Sequence, residues 1–333
     1  MSSLNVLEGE REEWRRILLE GVPHWVRPEG ESLILGDGRE IDEVDAVYLP
    51  PCDPTKILCV HLNYVSRAEE FGVKMGGTPT YFQKPTTAMN SHRGVLNRPG
   101  DCQYLNYEGE IAAIIGKPMR NVPPEETWNY VSGFAPSNDV GCHDYRDTDG
   151  GGMTRVKGMD GFCPVGPGIV RGVDVRASTL RTYINGEVVQ DGKVEEMTFG
   201  IDYMLADLCR HITLLPGDVV LTGTPANSRP MEVGDTVEVE VTGLGRISNL
   251  VSEIPAPAHS IGHQPTDSVA VRAVAFGPRA LSEEDMEDPP KHLRQALRES
   301  EIDESEFCLL DHGASTESVL LEEQEYIAST GSN

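Results

Sequence analysis

The chain has 333 residues, 38% of them hydrophobic and 25% charged, with a formal net charge of −26. That length can bury a full core as one large domain or two modest ones, and the composition excludes collagen, a disulfide scaffold and wholesale disorder. No apolar run of about 18 residues occurs, so no membrane-spanning helix is expected. The N-terminal MSSLNVLEGEREEW has no basic stretch leading into an apolar one, so no signal peptide is expected. The 54 acidic side chains outnumber 28 basic ones, which repels phosphate backbones and anionic lipid and counts against nucleic-acid and membrane partners. Seven cysteines, an odd number with no Cys-x-x-Cys pair, fit reduced thiols in a cytoplasmic protein.

Three regions follow one another: a small N-terminal region over 1–54, a main body over 55–254, and an acidic extension over 255–333 that begins Pro255-Ala-Pro-Ala-His-Ser. In the first, Glu10 to Leu19 reads as a helix and Ser32 to Leu35 as a strand. The body carries short β-branched or alternating runs at Ile57–Val60, Glu110–Ile115, Leu180–Ile184, Val219–Thr222 and Thr236–Val241. Gly, Pro and Asn-Gly signals separate them, and Asn185-Gly186 predicts a two-residue hairpin. Met204 to Ile212 is the clearest helix of the body. Strands dominate without a regular βα alternation, which argues against a doubly wound parallel sheet. The extension suggests short helices at Leu293–Leu297 and Ser318–Ile327 on an otherwise mobile tail, and the Gly150–Gly152 run reads as a mobile loop.

The chemistry concentrates in a few places. In Tyr107-Glu-Gly-Glu110, which leads into a strand, Glu108 and Glu110 share one face because extended side chains alternate. Two carboxylates on one face repel unless a cation lies between them, and hard divalent cations take such ligands. Asp139, after a hydrophobic stretch, offers a third. Lys157 follows in a glycine-rich segment as a possible anion-binding group, and Thr222-Gly-Thr-Pro225 closes a strand with backbone N–H groups and hydroxyls. No dinucleotide fingerprint, phosphate-binding loop, serine-hydrolase elbow or zinc-protease motif occurs.

Taken in order, Leu62-Asn-Tyr64, Tyr81-Phe-Gln-Lys-Pro85, Tyr107-Glu-Gly-Glu110, Asn138-Asp139, Lys157 to Pro164, Asn185-Gly186, Gln190-Asp191 and Leu215 to Pro225 resemble the fumarylacetoacetate hydrolase family over about residues 55–254. The stretch from Tyr107 to Val170 looks most like its homoprotocatechuate-pathway branch, the 2-hydroxyhepta-2,4-diene-1,7-dioate isomerase / 5-carboxymethyl-2-oxo-hex-3-ene-1,7-dioate decarboxylase. The resemblance implies a mainly β fold with some α, a mixed β-roll, in a homodimer. It implies Mg²⁺ or Mn²⁺ held by Glu108, Glu110 and Asp139, with Lys157 contacting the substrate or metal-bound water. Tyr64, Gln190, Gly223 and Thr224 would line the substrate site.

Two departures bear on the reaction. Hydrolytic members usually read N-Y-x-x-H-x-x-E, the His and Glu activating water. Here Glu70 is in place but Arg67 replaces the His, and a guanidinium that stays protonated cannot be a base. It can clamp a second carboxylate. Beyond the metal Asp the family usually has D-x-x-A-R-D, and here His143 stands at the Arg. An exchange follows as a hypothesis, with His143 supplying the imidazole and Arg67 the guanidinium. His61, beside the Asn-Tyr pair, is a further acid/base candidate. The expectation is an enzyme acting on a 2-oxo or 2-hydroxydienoate acid through a stabilised enolate in aromatic catabolism, with isomerisation or decarboxylation favoured. A C–C hydrolase of an acylpyruvate-like substrate is the first alternative. The second is a silent metal-binding member recruiting a partner through its acidic tail.

Overall fold

The computed structural model describes residues 5–147, 149 and 152–278. The expected helices at 293–297 and 318–327, and Gly150 and Gly151 of the glycine run, lie outside them.

The first region is all strand and turn: β1 (Glu12–Leu19), β2 (Val22–Glu29), β3 (Ser32–Leu35), β4 (Glu40–Asp42) and β5 (Val47–Tyr48). The helix expected over Glu10–Leu19 is therefore corrected to a strand. Its backbone groups are taken on one edge by β2, where Ile17 pairs with His24, and on the other by Arg171 to Gly168. Burial of Glu13 and Ile17 with exposure of Trp14 and Leu18 fits partners supplied by the fold rather than by the segment itself. Ile17, Val26, Leu33, Leu35 and Tyr48 form a small core of their own.

The body continues with β6 (Ile57–Val60), α1 (Val65–Phe71), β7 (Tyr81–Lys84), β8 (Met89–Asn90), β9 (Val95–Pro99), β10 (Leu105–Asn106), β11 (Gly109–Ile115), β12 (Val131–Asn138) and β13 (Gly141–Cys142). After α2 (Thr154–Lys157) come β14 (Cys163–Pro164), β15 (Gly168–Arg171), β16 (Thr179–Ile184), β17 (Glu187–Lys193), α3 (Ile201–His211), β18 (Val219–Leu221), β19 (Thr236–Val241), β20 (Gly245–Ile254) and α4 (Val269–Phe276). One sheet runs β4-β3-β2-β1-β15-β12-β11-β18-β6-β7 with β5 beside β1, so the N-terminal strands extend the sheet that carries the body. A second runs β17-β16-β19-β20-β9. Both are mixed, with β18 parallel to β6 and β20 parallel to β9. This is the expected mainly β architecture with a few helices.

Strand β11 explains how the two principal cores arise. Every residue of it is buried. Ile111, Ala113 and Ile115 enter one cluster, while Ala112 and Ile114 enter the other, as period-two alternation requires. Helix α3 closes the first cluster with Ile201, Met204, Leu205 and Leu208, spaced at i, i+3, i+4 and i+7. Glu110 falls on the face shared by Ala112 and Ile114. The hairpin between β16 and β17 turns through Asn185 and Gly186, both at positive φ (51° and 84°), the combination a type I′ turn needs. The six described cysteines are buried and unpaired, and no described helix is long and apolar enough to cross a membrane.

Candidate active site

The antiparallel register of β11 and β12 sets Gly109 opposite Asn138. The Asp139 N–H donates to the Glu108 carbonyl at 2.8 Å, and the Asn138 side chain accepts the Glu108 N–H at 2.8 Å. Glu108, Glu110 and Asp139 therefore converge, with one carboxylate oxygen from each lying within 4.8 Å of the others. Lys157, the last residue of α2, donates its ammonium to Glu108 Oε2 and to the Asp139 carbonyl, both at 2.7 Å, and lies 3.1 Å from Asp139 Oδ2. A second buried lysine, Lys84 at the end of β7, meets Asp139 Oδ1 from the other side and also donates to the carbonyls of Val140 (3.2 Å) and Phe162 (2.6 Å).

The charges are unequally matched. Burial works against the Glu108 carboxylate, yet Lys157 and Arg67 outweigh it and hold it below its ordinary range. Glu110 has a backbone partner, the Gly223 N–H at 2.7 Å, but no ammonium of its own. Burial, then the charges of Asp139 and Glu108, push it well above the usual value. Lys157 is stripped by burial and restored by Asp139 and Glu108, ending above its ordinary value. Three carboxylate donors, Glu110 and Asp139 buried and Glu108 half-buried at the cavity, fit a hard divalent cation.

The Thr222–Pro225 turn is held from beneath. Gln190 donates to Thr224 Oγ1 (3.0 Å) and the Pro225 carbonyl (2.9 Å), while its own oxygen accepts from Thr182 and from the Gly109 N–H. Its amide is thus spent on the scaffold, and it positions Thr224. Gly223 is at φ +95°, and a Cβ there would fall 2.7 Å from Asn63 Cβ, so only glycine lets the turn deliver its N–H to Glu110. Tyr64 is fully buried and its hydroxyl has no hydrogen-bond partner among the described residues.

A cavity of about 290 Å³ opens beside this cluster, lined by His61, Arg67, Glu108, His143, Lys157 and Thr224 among others. Glu110 and Asp139 lie behind Glu108, and Glu70, Tyr64, Gln190 and Gly223 stand outside the lining. Arg67 donates to Glu70 Oε2 at 2.6 Å, approaches Glu108 Oε1 at 3.5 Å and stacks over Phe71. Glu70 accepts in addition from Arg229 (2.7 Å) and the Asn227 N–H (3.2 Å), so its carboxylate is enclosed by two guanidinium groups. His143 opens a one-turn helix (His143–Tyr145), pinned by its N–H to the Tyr104 carbonyl at 2.9 Å. Its ring is buried, and neither nitrogen has a hydrogen-bond partner among the described residues. Burial, followed by the charges of Lys157 and Arg146, holds its pKa well below the ordinary value, so the imidazole is neutral at pH 7. His61 leans against Phe82 at 4.9 Å between centroids, its pKa lowered chiefly by burial.

Two residues of the site escape sequence reasoning. Lys84 sits inside a quoted motif, but a lysine at a strand end normally faces solvent, and only the fold turns it onto Asp139. Arg146 lines the cavity with its guanidinium 2.7 Å from Met153 Sδ and, among the described residues, has no carboxylate partner. Nothing in the local pattern distinguishes it from a surface arginine.

Fold and site together define a β-rich protein with a largely buried three-carboxylate centre beside a cavity lined by Arg67, Arg146 and Lys157. Residues 56–252 match the family model described as fumarylacetoacetate (FAA) hydrolase C-terminal. An uncharacterised protein of Methanocaldococcus jannaschii is 35% identical over 219 residues, 66% of this chain and 89% of that one. The 4-hydroxyphenylacetate degradation bifunctional isomerase/decarboxylase of Escherichia coli is 34% identical over 242 residues, 72% of this chain and 55% of the relative. The solved 5-carboxymethyl-2-hydroxymuconate delta-isomerase of Mycobacterium smegmatis superposes with a TM-score of 0.67 at 34% identity, covering 73% of this chain and 99% of that one. The chain belongs to the fumarylacetoacetate hydrolase family, and is an enzyme of it.

Proposed function

We propose that the chain isomerises or decarboxylates a 2-oxo or 2-hydroxydienoate acid of aromatic catabolism, with Mg²⁺ or Mn²⁺ held by Glu108, Glu110 and Asp139. Such an ion, when bound, supplies Lewis-acid polarisation of the substrate's carboxylate and adjacent oxygen. The observation that carries the reading is the division of labour between Glu70 and His143. Water activation in the hydrolytic pattern needs an imidazole with a free carboxylate behind it, whereas Glu70 is enclosed by Arg67 and Arg229. His143 instead offers a neutral imidazole in the cavity lining, with neither nitrogen hydrogen-bonded among the described residues. A neutral imidazole can take a proton from one carbon and return it to another, which is what moving a double bond requires. Arg146, which has no carboxylate partner among the described residues, supplies a cation for a substrate carboxylate, and Lys157 fixes Glu108 while facing the same space. Arg67, already paired, serves as a weaker clamp than Arg146. A cytoplasmic homodimer completes the proposal, with light scattering of the purified chain as the check on its assembly.

The test is product identity by mass spectrometry, on acylpyruvates and 2-hydroxydienoate diacids, with Mg²⁺ and then with excess chelator. The expected result is metal-dependent rearrangement at unchanged mass or loss of carbon dioxide. Metal-dependent cleavage with one water gained would overturn the reading in favour of a C–C hydrolase.

A further inference from the structure

The family model ends at residue 252, yet the chain returns to the site after it. Thr266 donates its N–H to the Asp144 carbonyl at 2.8 Å, and Ser268 Oγ reaches Asp147 Oδ2 at 2.8 Å. Ser268 also caps α4 by accepting the Val271 N–H at 3.1 Å. Tyr104 binds the segment twice, through its hydroxyl to Asp267 Oδ1 at 2.5 Å and through an edge-to-face contact with Phe276 at 5.6 Å. At the far end the fully buried Asn106 donates to the Ala275 carbonyl at 2.7 Å. Val271 and Ala275 are buried beneath the helix. Gly277, at φ +80°, passes so close to Glu70 that a Cβ would fall 2.7 Å from Oε1. Two buried apolar side chains and a buried amide spent on a helix carbonyl mark a docked element rather than a trailing linker.

The docking places Val274 in the lining of the substrate cavity, with Phe71, Val73, Phe82 and Met153 as its apolar company, while Arg146, Lys157 and His143 supply the polar lining. We infer that α4 is a built-in wall of the active site and that Val274 is a specificity-determining residue, in contact with the apolar chain of a 2-oxo acid beyond its carboxylate end. The inference rests on the proposed function for the class of ligand, and on the packing alone for the wall. The solved relative is covered over 99% of its length by 73% of this chain, so the chain holds material with which to set a preference of its own.

The experiment uses the full chain with Mg²⁺ and the variants Val274→Ala and Val274→Trp, at a half-buried helical position that lines the cavity. Binding of pyruvate, 2-oxobutyrate, 2-oxopentanoate and 2-oxohexanoate is followed by calorimetry. A wall predicts that Val274→Trp lowers the affinity ratio of the longest to the shortest acid by about ten-fold and that Val274→Ala raises it, since each methylene in an apolar pocket discriminates on that scale. The same ratio in all three proteins overturns the role in specificity. If none of the acids binds the parent protein, the contact of Val274 with the chain of a 2-oxo acid is overturned, the proposed function stands or falls by product identity, and the wall is still read directly. Carbethoxylation of His143 by diethyl pyrocarbonate, located by peptide mass spectrometry, is then expected to be faster in Val274→Ala and slower in Val274→Trp than in the parent. Equal rates overturn the wall.

Discussion

The floor of the site and its rim are built on different plans. The floor is Glu108, Glu110 and Asp139, in or next to the adjacent antiparallel strands β11 and β12 of the large sheet, with Lys84 from the end of β7 and Lys157 from the end of α2. Each floor group has a partner within hydrogen-bond distance. The rim is α1, the His143 turn and the residues just after it. There the imidazole of His143 has neither nitrogen bonded and the guanidinium of Arg146 lacks a carboxylate, among the described residues. Buried polar groups are normally satisfied, and an unsatisfied buried group costs about 1–3 kcal/mol. The site thus leaves such groups open on one side and closes them on the other, among the described residues.

The largest effect belongs to the floor. Asp139→Asn keeps the shape but removes a negative charge from the donor set while the Lys84 and Lys157 side chains remain beside it. Mg²⁺ or Mn²⁺ affinity measured by calorimetry is expected to fall more than about 100-fold, with turnover falling in step. Unchanged affinity would erase the distinction between floor and rim. The rim follows with His143→Ala, for which a loss of about 100-fold in kcat is expected with metal affinity retained. The pH profile sharpens the point. Because burial lowers the His143 pKa in the folded protein, its neutral, proton-accepting form persists below pH 6.5. The acid limb contributed by this group should therefore lie below the ordinary histidine range, with activity flat from about pH 6.5 to 8. A His143→Ala enzyme of unchanged turnover would remove the proposed base.

The contrast also explains what the sequence made legible. Strand alternation carries Glu108 and Glu110 to one face, and the hydrophobic run ending at Asn138 delivers Asp139, so the floor follows from period-two geometry and strand pairing. The hairpin at Asn185-Gly186 and helix α3 were equally readable, from turn chemistry and from 3.6-residue spacing. Segment 10–19 was not, because its strand depends on β2 and β15, which no local pattern announces. Lys84 and Arg146 were not, since burial decides their roles and a lysine or arginine is spelled alike in solvent and in a cavity. The segment past Ile254 reads as an extension from its composition, and only the pairing of Tyr104, Asn106 and Asp144 with it brings α4 to the cavity.

Lys84→Met separates the floor's two lysines. Lys84 is fully buried and binds Asp139 and two carbonyls, so the variant leaves a buried carboxylate with only Lys157 for compensation. Loss of one partner from such a pair costs about 3 kcal/mol, read as a lower midpoint in urea. Metal affinity is expected to change by no more than about ten-fold, because Asp139 gains negative character as it loses a neighbour. A large loss of affinity with no loss of stability would instead make Lys84 part of the ligand geometry.

The smallest expected effect is the most discriminating. Glu70→Gln preserves volume and lets the amide oxygen accept from one of the two arginines, while removing the charge that a water-activating carboxylate would need. As an enclosed counter-ion, Glu70 acts by holding Arg67, which stacks over Phe71, and Arg229, and its neutralisation shifts KM through a loosened Arg67. The expectation is a rise in KM of a few-fold with kcat within about three-fold of the parent, a split that uniform binding losses produce. Were Glu70 the hydrolytic carboxylate, kcat would fall by about 100-fold or more at unchanged KM. The same substitution thus reads whether the rim turns over its substrate with His143 alone or with a dyad, and it does so without removing any oxygen of the floor.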